Sequence, residues 1–344
     1  MNNARKPLKE RYDSLDGLRA YSAIGIVLLH VYTNGGYKVG NPAFETVILS
    51  FTNMVFLFMI VSGFAMCCGY YEKFINNCVD LKSFYSKRFA KVWPFFATLS
   101  VLEFVISPSH QAAYETVLNL TLCFGFLPSV NFSVMGVGWF LGVVFVFYLV
   151  FPFFCYLLSD RKKAWLAFAA ALVMNRIAGQ YFYAGRSNFA YSAVFFLAGG
   201  LIYLHRHVLQ EVSRRFKWLV IMLCLTMAAG YFIDGPSVPM MLLLYASLLI
   251  YALGVSKRGL LINPVVKFIS NISLEIYLCH MVAFRVLEKL KLTQLFGDGY
   301  LSFFATTCMV LLGAIGFSTL INKGLEIAPK VFHRLAKYIK RDNG

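Results

Sequence analysis

Long apolar runs separated by short polar segments organise this chain, and their lengths predict its elements. A helix that crosses a bilayer needs about 20 mostly apolar residues. Ten stretches meet that requirement: 18–37, 44–68, 89–107, 137–158, 164–182, 189–205, 217–233, 238–255, 268–288 and 301–322. Asp234-Gly235-Pro236-Ser237 separates the seventh from the eighth and predicts a tight turn. The run 114–128 is short and ends at Pro128, which predicts a re-entrant or surface helix. The expected fold is all-α, a polytopic transmembrane helical bundle. A basic N-terminal segment (1–17) precedes the ten-span membrane domain (18–322), and a basic tail (323–344) follows it. The tail's cations from Lys323 to Arg341 predict an interfacial helix against anionic headgroups.

Composition agrees with that pattern. Of the 344 residues 59% are hydrophobic and only 14% charged, where a soluble chain carries about 25% charged residues. The net charge of +16 raises nucleic acid as a partner, but the cations cluster between the apolar spans and argue against it. With the N-terminus inside, 25 of the 32 Lys and Arg residues fall in cytoplasmic segments and 4 in outer ones: Lys38, Arg186, Lys289 and Lys291. Both termini are therefore expected in the cytoplasm of a multi-pass protein, most readily in a bacterial cytoplasmic membrane. No small-residue cleavage site follows the first apolar run, so that span is expected to be retained. The eight cysteines show no C-x-x-C pair and no zinc spacing, so no metal site is expected. No pattern specifies an oligomer.

The polar residues inside the first run point to chemistry. Leu15–His30 reads LDGLRAYSAIGIVLLH and carries Asp16, Arg19 and His30. At about 100° per residue, Arg19 and His30 return to within roughly 20° of each other and Asp16 lies about 40–60° away. Three ionisable groups thus share one stripe of a helix, and such groups at membrane depth face an interior cavity. His30 lies about 16 Å beyond Arg19 along the axis, towards the outer leaflet. A neutral imidazole there can take a proton from a hydroxyl as a general base. Asp16 is expected at the helix start as an N-cap or as a partner of Arg19.

A second cluster, YSKRFAKVWPF (85–95), crowds Lys87, Arg88 and Lys91 at the cytoplasmic start of the third run. Arg88 and Lys91 are helical neighbours and form a pair able to grip phosphates, or an ordinary positive-inside anchor. Weaker candidates follow. Glu275 and His280 lie about 140° apart on the ninth run and cannot both face one cavity squarely. Glu275 either pairs structurally, with Arg176 as a candidate, or serves catalysis or acceptor binding. Trp139 and Tyr148 either pack at the lipid interface or in the core, or stack on a sugar ring. Gly63, in VSGF, is expected to permit close helix packing.

LDGLRA with a histidine 11 residues after its arginine, VSGF at 61–64, R-x-x-K-x-x-P at 88–94, WFLGVVFVFYLVFP at 139–152 and SLEIYLCH at 273–280 follow one another in order. Together they resemble the acyltransferase-3 family of integral membrane acyltransferases. The resemblance implies a ten-span enzyme that takes an acyl group, most often acetyl, from acyl-coenzyme A in the cytoplasm. The acceptor it implies is a sugar hydroxyl of a cell-envelope polysaccharide or of a lipid-linked glycan. Acyl-CoA would be a donor substrate, not a tightly bound cofactor. By the same resemblance His30 matches the family's essential histidine and Arg19 its first-span arginine. Arg88 and Lys91 match an R-x-x-R pair that engages the coenzyme.

Two positions depart from the pattern. Lys91 replaces the second arginine and loses its bidentate geometry. Val144-Phe145 stand where many members carry two glutamates. The chain lacks the hydrolase-like domain that some members append, which implies the stand-alone type. The competing expectation is a secondary transporter or a flippase of glycan precursors, since buried charges among ten spans would also serve a polar pathway.

Overall fold

In the computed structural model the structure describes residues 11–128 and 135–342, except the side chains of residue 123 and of 328–342. Most of the basic N-terminal segment, residues 1–10, and residues 129–134 lie outside the described residues. Among the described residues, fourteen α-helices follow in chain order. They are α1 (Ser14–Gly35), α2 (Pro42–Ser50), α3 (Met54–Ile75), α4 (Leu81–Ile106), α5 (His110–Thr121), α6 (Trp139–Leu157) and α7 (Arg161–Tyr181). Then come α8 (Phe189–Leu204), α9 (Arg206–Arg215), α10 (Lys217–Ile233), α11 (Val238–Gly254), α12 (Pro264–Asn271), α13 (Ser273–Lys289) and α14 (Tyr300–Asp342). Among the described residues there is no strand.

Local chemistry sets the helix ends. Asn41 accepts from the Ala43 and Phe44 amides to start α2, Asp80 from Ser83 for α4, and Asn188 from Ala190 and Tyr191 for α8. Gly36, at φ +66°, stops α1 in the left-handed region that glycine adopts without strain.

Each of the ten expected stretches coincides with helix, but the boundaries differ where capping decides them. Asp80 starts α4 eight residues before the expected 89, so Lys87, Arg88 and Lys91 lie inside that helix. A one-turn 3-10 segment, Phe51–Asn53, joins α2 to α3 in one apolar stretch, Pro42–Ile75. The ninth stretch breaks at Ile272, where α12 and α13 meet at 74°, and α8 and α9 meet at 76°. The run 114–128 holds α5 and a 3-10 turn, Cys123–Phe126. The basic tail forms no separate helix; it continues α14 to Asp342.

Among the described residues, four helical stretches are long and apolar enough to cross a membrane: Pro42–Ile75, Leu81–Ile106, Gly136–Leu157 and Tyr300–Ile327. Counting each bent pair as one span gives up to six. Helix α1, with its polar stripe, lies inside the bundle, against α3, α11, α12, α13 and α14.

Tight backbone approaches fix this frame. A Cβ on Gly199 of α8 would stand 2.1 Å from the Ile60 carbonyl oxygen, and one on Gly63 of α3 would stand 2.3 Å from that of Phe196. The two glycines thus let α3 and α8 cross nearly backbone to backbone, as expected of Gly63. At the start of α1, Ser14 donates to the Ala252 carbonyl at 2.6 Å and Tyr21 to that of Leu260 at 2.8 Å. A Cβ on Gly17 would lie 2.7 Å from Leu261 Cα. These contacts hold Asp16 and Arg19 at a fixed height in the bundle.

Candidate active site

Five helices, α1, α3, α4, α6 and α13, each contribute side chains to two cavities at opposite ends of the bundle. The first, about 570 Å³, lies at the end expected to face the cytoplasm. Arg11, Arg19, Lys73, Arg88 and Lys91 line it against only two carboxylates, Asp16 and Glu275.

Asp16 organises one wall. Its carboxylate stands 3.5 Å from Arg19 Nη1 and 3.2 Å from Arg11 Nη2, and it accepts from Ser270 Oγ at 3.0 Å. It is therefore the expected partner of Arg19 and not an N-cap: α1 begins at Ser14, and Asp16 lies in its first turn. On the opposite wall Arg88 Nη2 donates to the Tyr70 hydroxyl at 2.9 Å. Its guanidinium lies 5.0 Å from the Tyr70 ring centre and 5.9 Å from that of Tyr148. Arg88 Nε is buried and has no hydrogen-bond partner among the described residues.

Lys87 is exposed and does not line the cavity, because on α4 it points about 100° away from Arg88. Tyr148, weighed above as a sugar platform, belongs to this basic cavity beside Arg88. Glu275 faces the same cavity as Lys91 and Arg19, whereas Arg176 is exposed on α7.

The second cavity, about 840 Å³, lies at the other end of α1 and holds His30. Trp139 and Asn34 line it too. Arg186 lies over the Trp139 ring at 5.1 Å and donates to Thr52 Oγ1 at 2.6 Å. Arg285 forms an ion pair with Glu103, whose other oxygen accepts from the Met135 amide at 2.6 Å. Of these, only His30 and Trp139 were sequence candidates. Arg186 and Glu103 did leave signals: one is among four outer cations, the other a lone acid in the 89–107 run. Arg11 and Lys73 are further additions, on the basic side.

The polar stripe of α1 is thus divided between two cavities, with Asp16 and Arg19 in one and His30 in the other. The wall between them is aromatic. Tyr277 lines both cavities, and its ring meets Phe140 edge-on at 5.4 Å. Phe140 in turn lies 5.9 Å from Phe58. His280, one turn beyond Tyr277 on α13, is fully buried with its ring 5.1 Å from that of His30. Glu275 and His280 thus diverge as their spacing requires, Glu275 towards the basic cavity and His280 towards His30.

A polycationic cavity opening at one end and a histidine in a polar cavity at the other suit a reaction that joins an anionic donor to an acceptor across a thin wall. The sequence profile of the acyltransferase-3 family, described as an acyltransferase domain, matches residues 12–323. No curated protein matches the chain, and no solved structure does. The chain belongs to the acyltransferase-3 family; it is an acyltransferase, and its apolar helices make it a multi-pass membrane protein.

Proposed function

We propose that this family member is an O-acyltransferase that moves an acyl group, acetyl in the first instance, from acyl-CoA to a sugar hydroxyl of a cell-envelope polysaccharide or lipid-linked glycan. The observation that carries the reading is the pairing of the two cavities along α1: five cations surround one, and His30 faces the other. Coenzyme A is anionic at its nucleotide end and ends in a long, neutral pantetheine arm. Its phosphates fit the cavity of Arg11, Arg19, Lys73, Arg88 and Lys91, with Arg88 as a fork and Lys91 as a point charge. The arm then extends along α1 towards His30, with both chain termini on the cytoplasmic side.

At the thioester, His30 takes the proton of the acceptor hydroxyl as that oxygen attacks the carbonyl carbon. The new C–O bond forms, the C–S bond breaks, and the leaving thiolate receives the proton that His30 took. Arg19, in the basic cavity, holds the phosphates of the coenzyme. Trp139 and Arg186 form the wall against which the acceptor sugar rests.

The test is protein purified into lipid nanodiscs and supplied with acetyl-CoA and candidate glycans. Free thiol should appear only with an acceptor, and His30→Ala should abolish it in protein that remains folded. Transfer that survives His30→Ala would overturn the mechanism, and acetyl-CoA left intact with every glycan tried would favour a transporter or flippase.

A further inference from the structure

His280 Nδ1 lies 2.7 Å from the Tyr277 carbonyl oxygen and 3.2 Å from that of Ile276. Carbonyl oxygens only accept, so Nδ1 carries the ring proton and Nε2 is left with its lone pair. Nε2 is buried and bonds no described donor. An acceptor in that state is costly unless a donor reaches it. The neighbouring imidazole is that of His30, with the ring centres 5.1 Å apart and the planes tilted by 40°. Two imidazoles joined by an N–H···N bond have centres roughly 5 Å apart. The spacing of the two rings is therefore that of a pair joined by such a bond.

We propose that His280 is a positioning residue: its Nε2 accepts a hydrogen bond from one ring N–H of His30 and so fixes the His30 tautomer. The other His30 nitrogen is then bare and faces the outer cavity, where the acceptor hydroxyl arrives. This role rests on the acyltransferase reading above. When His30 takes the hydroxyl proton, the imidazolium keeps its bond to His280, so no ring has to turn during the reaction. In soluble triads a carboxylate orients the histidine. Here a neutral imidazole does so without placing a fixed negative charge in the membrane interior, where charge is expensive.

The direct test needs no acyl transfer. Protein with 15N-labelled imidazoles in nanodiscs, with the His30 signals assigned through His30→Gln, should show His30 as a single tautomer hydrogen-bonded to a ring nitrogen. In His280→Leu the His30 signals should become those of mixed tautomers. In kinetics, His280→Leu should lower kcat about 10- to 100-fold with both KM values unchanged, the range seen when the partners that orient metal-bound histidines are lost. His280→Gln, whose Oε1 stands where Nε2 stood, should recover most of it.

Equal losses in Leu and Gln, a loss confined to KM, or an unchanged tautomer in His280→Leu would each overturn the role. Should the Leu variant not fold, the wild-type spectrum alone decides, because mixed tautomers of His30 there end the proposal. A single hydrogen-bonded tautomer in a protein that transfers no acyl group would instead keep the His30–His280 bond and remove the acyltransferase reading.

Discussion

The Tyr277 hydroxyl donates to the Val137 carbonyl at 2.6 Å, a bond that ties α13 to the 3-10 turn before α6 at the wall between the two cavities. Tyr277 is 3% exposed although it borders both cavities, because Phe140 packs against its ring. A donor arm entering from the basic side meets this wall before it meets His30.

Removing the Tyr277 ring should therefore uncouple the reaction. In Tyr277→Ala, thiol release from acetyl-CoA without glycan should rise several-fold, because water reaches the thioester through the joined cavities, while transfer to glycan falls. Tyr277→Phe keeps the ring and should keep the coupling. Its cost is about 1–3 kcal/mol of stability from the unpaired Val137 carbonyl, read as a lower Tm in detergent. Acceptor-free release that stays at the wild-type level in Tyr277→Ala would sink the idea that this ring separates the substrates.

The basic side should govern the donor. Arg88→Ala should raise KM for acetyl-CoA about 10- to 100-fold, since a hydrogen bond to a charged group contributes roughly 1.5–3 kcal/mol. Arg88→Lys should recover little, because a point charge cannot bond Tyr70 and stack between Tyr70 and Tyr148 at once. Lys87→Ala should leave KM unchanged, as Lys87 is exposed away from the cavity. A KM shift in Lys87→Ala equal to that of Arg88→Ala would mean that general positive charge binds the donor.

Sequence pattern revealed those parts of this protein that depend on neighbours within one helix. The apolar runs became helices because burial and the 3.6-residue period act locally. Arg19 and His30 shared a face, and Arg88 and Lys91 a cavity, for the same reason. The break at Ile272 was invisible, because α12 turns to pack on α1 and Ser270 reaches Asp16 from 254 positions away. The outer cavity was invisible for a like reason. Arg285 meets Glu103 across 182 positions, and Arg186 comes from the segment before α8 to lie on Trp139 of α6. Tyr277 stood in SLEIYLCH without a role of its own, since only the packed bundle puts its ring between two cavities.

The outer side should govern the acceptor. Trp139→Ala should raise KM for the glycan about tenfold, a stacking contribution of about 1–2 kcal/mol, and leave KM for acetyl-CoA as it was. Because Arg186 rests on that ring, Arg186→Ala should act in the same direction. Steady-state kinetics with each substrate varied in turn checks both. A change in the acetyl-CoA KM of Trp139→Ala would mean that the two cavities do not divide the substrates.

The crossing of α3 and α8 supplies a stability test that leaves the chemistry aside. Gly199→Val would drive a side chain into the Ile60 carbonyl, 2.1 Å from where its Cβ must sit. Backbone cannot yield as a flexible side chain does, so the cost should be at the upper end of the about 1–3 kcal/mol typical of overpacking. Gly185→Ala, where nothing lies within 4 Å of a new Cβ, is the control and should leave Tm unchanged. Equal Tm values for the two variants would count against the close crossing.

On the proposed reading, a donor made in the cytoplasm and an acceptor bound outside need access from opposite faces. Cys78 is exposed in the connection between α3 and α4, at the basic end, and Tyr183 is 85% exposed in the segment between α7 and α8 that carries Arg186. In a variant stripped of its other cysteines, a membrane-impermeant maleimide applied to intact cells should leave Cys78 unlabelled until the cells are opened. Tyr183→Cys, placed singly in the same background, should label at once. The expected topology, with 25 cations in cytoplasmic segments and 4 in outer ones, predicts this pattern. The reverse pattern would put Arg88 and Lys91 on the outer face, away from the cell's acyl-CoA, and the donor site would have to be sought elsewhere.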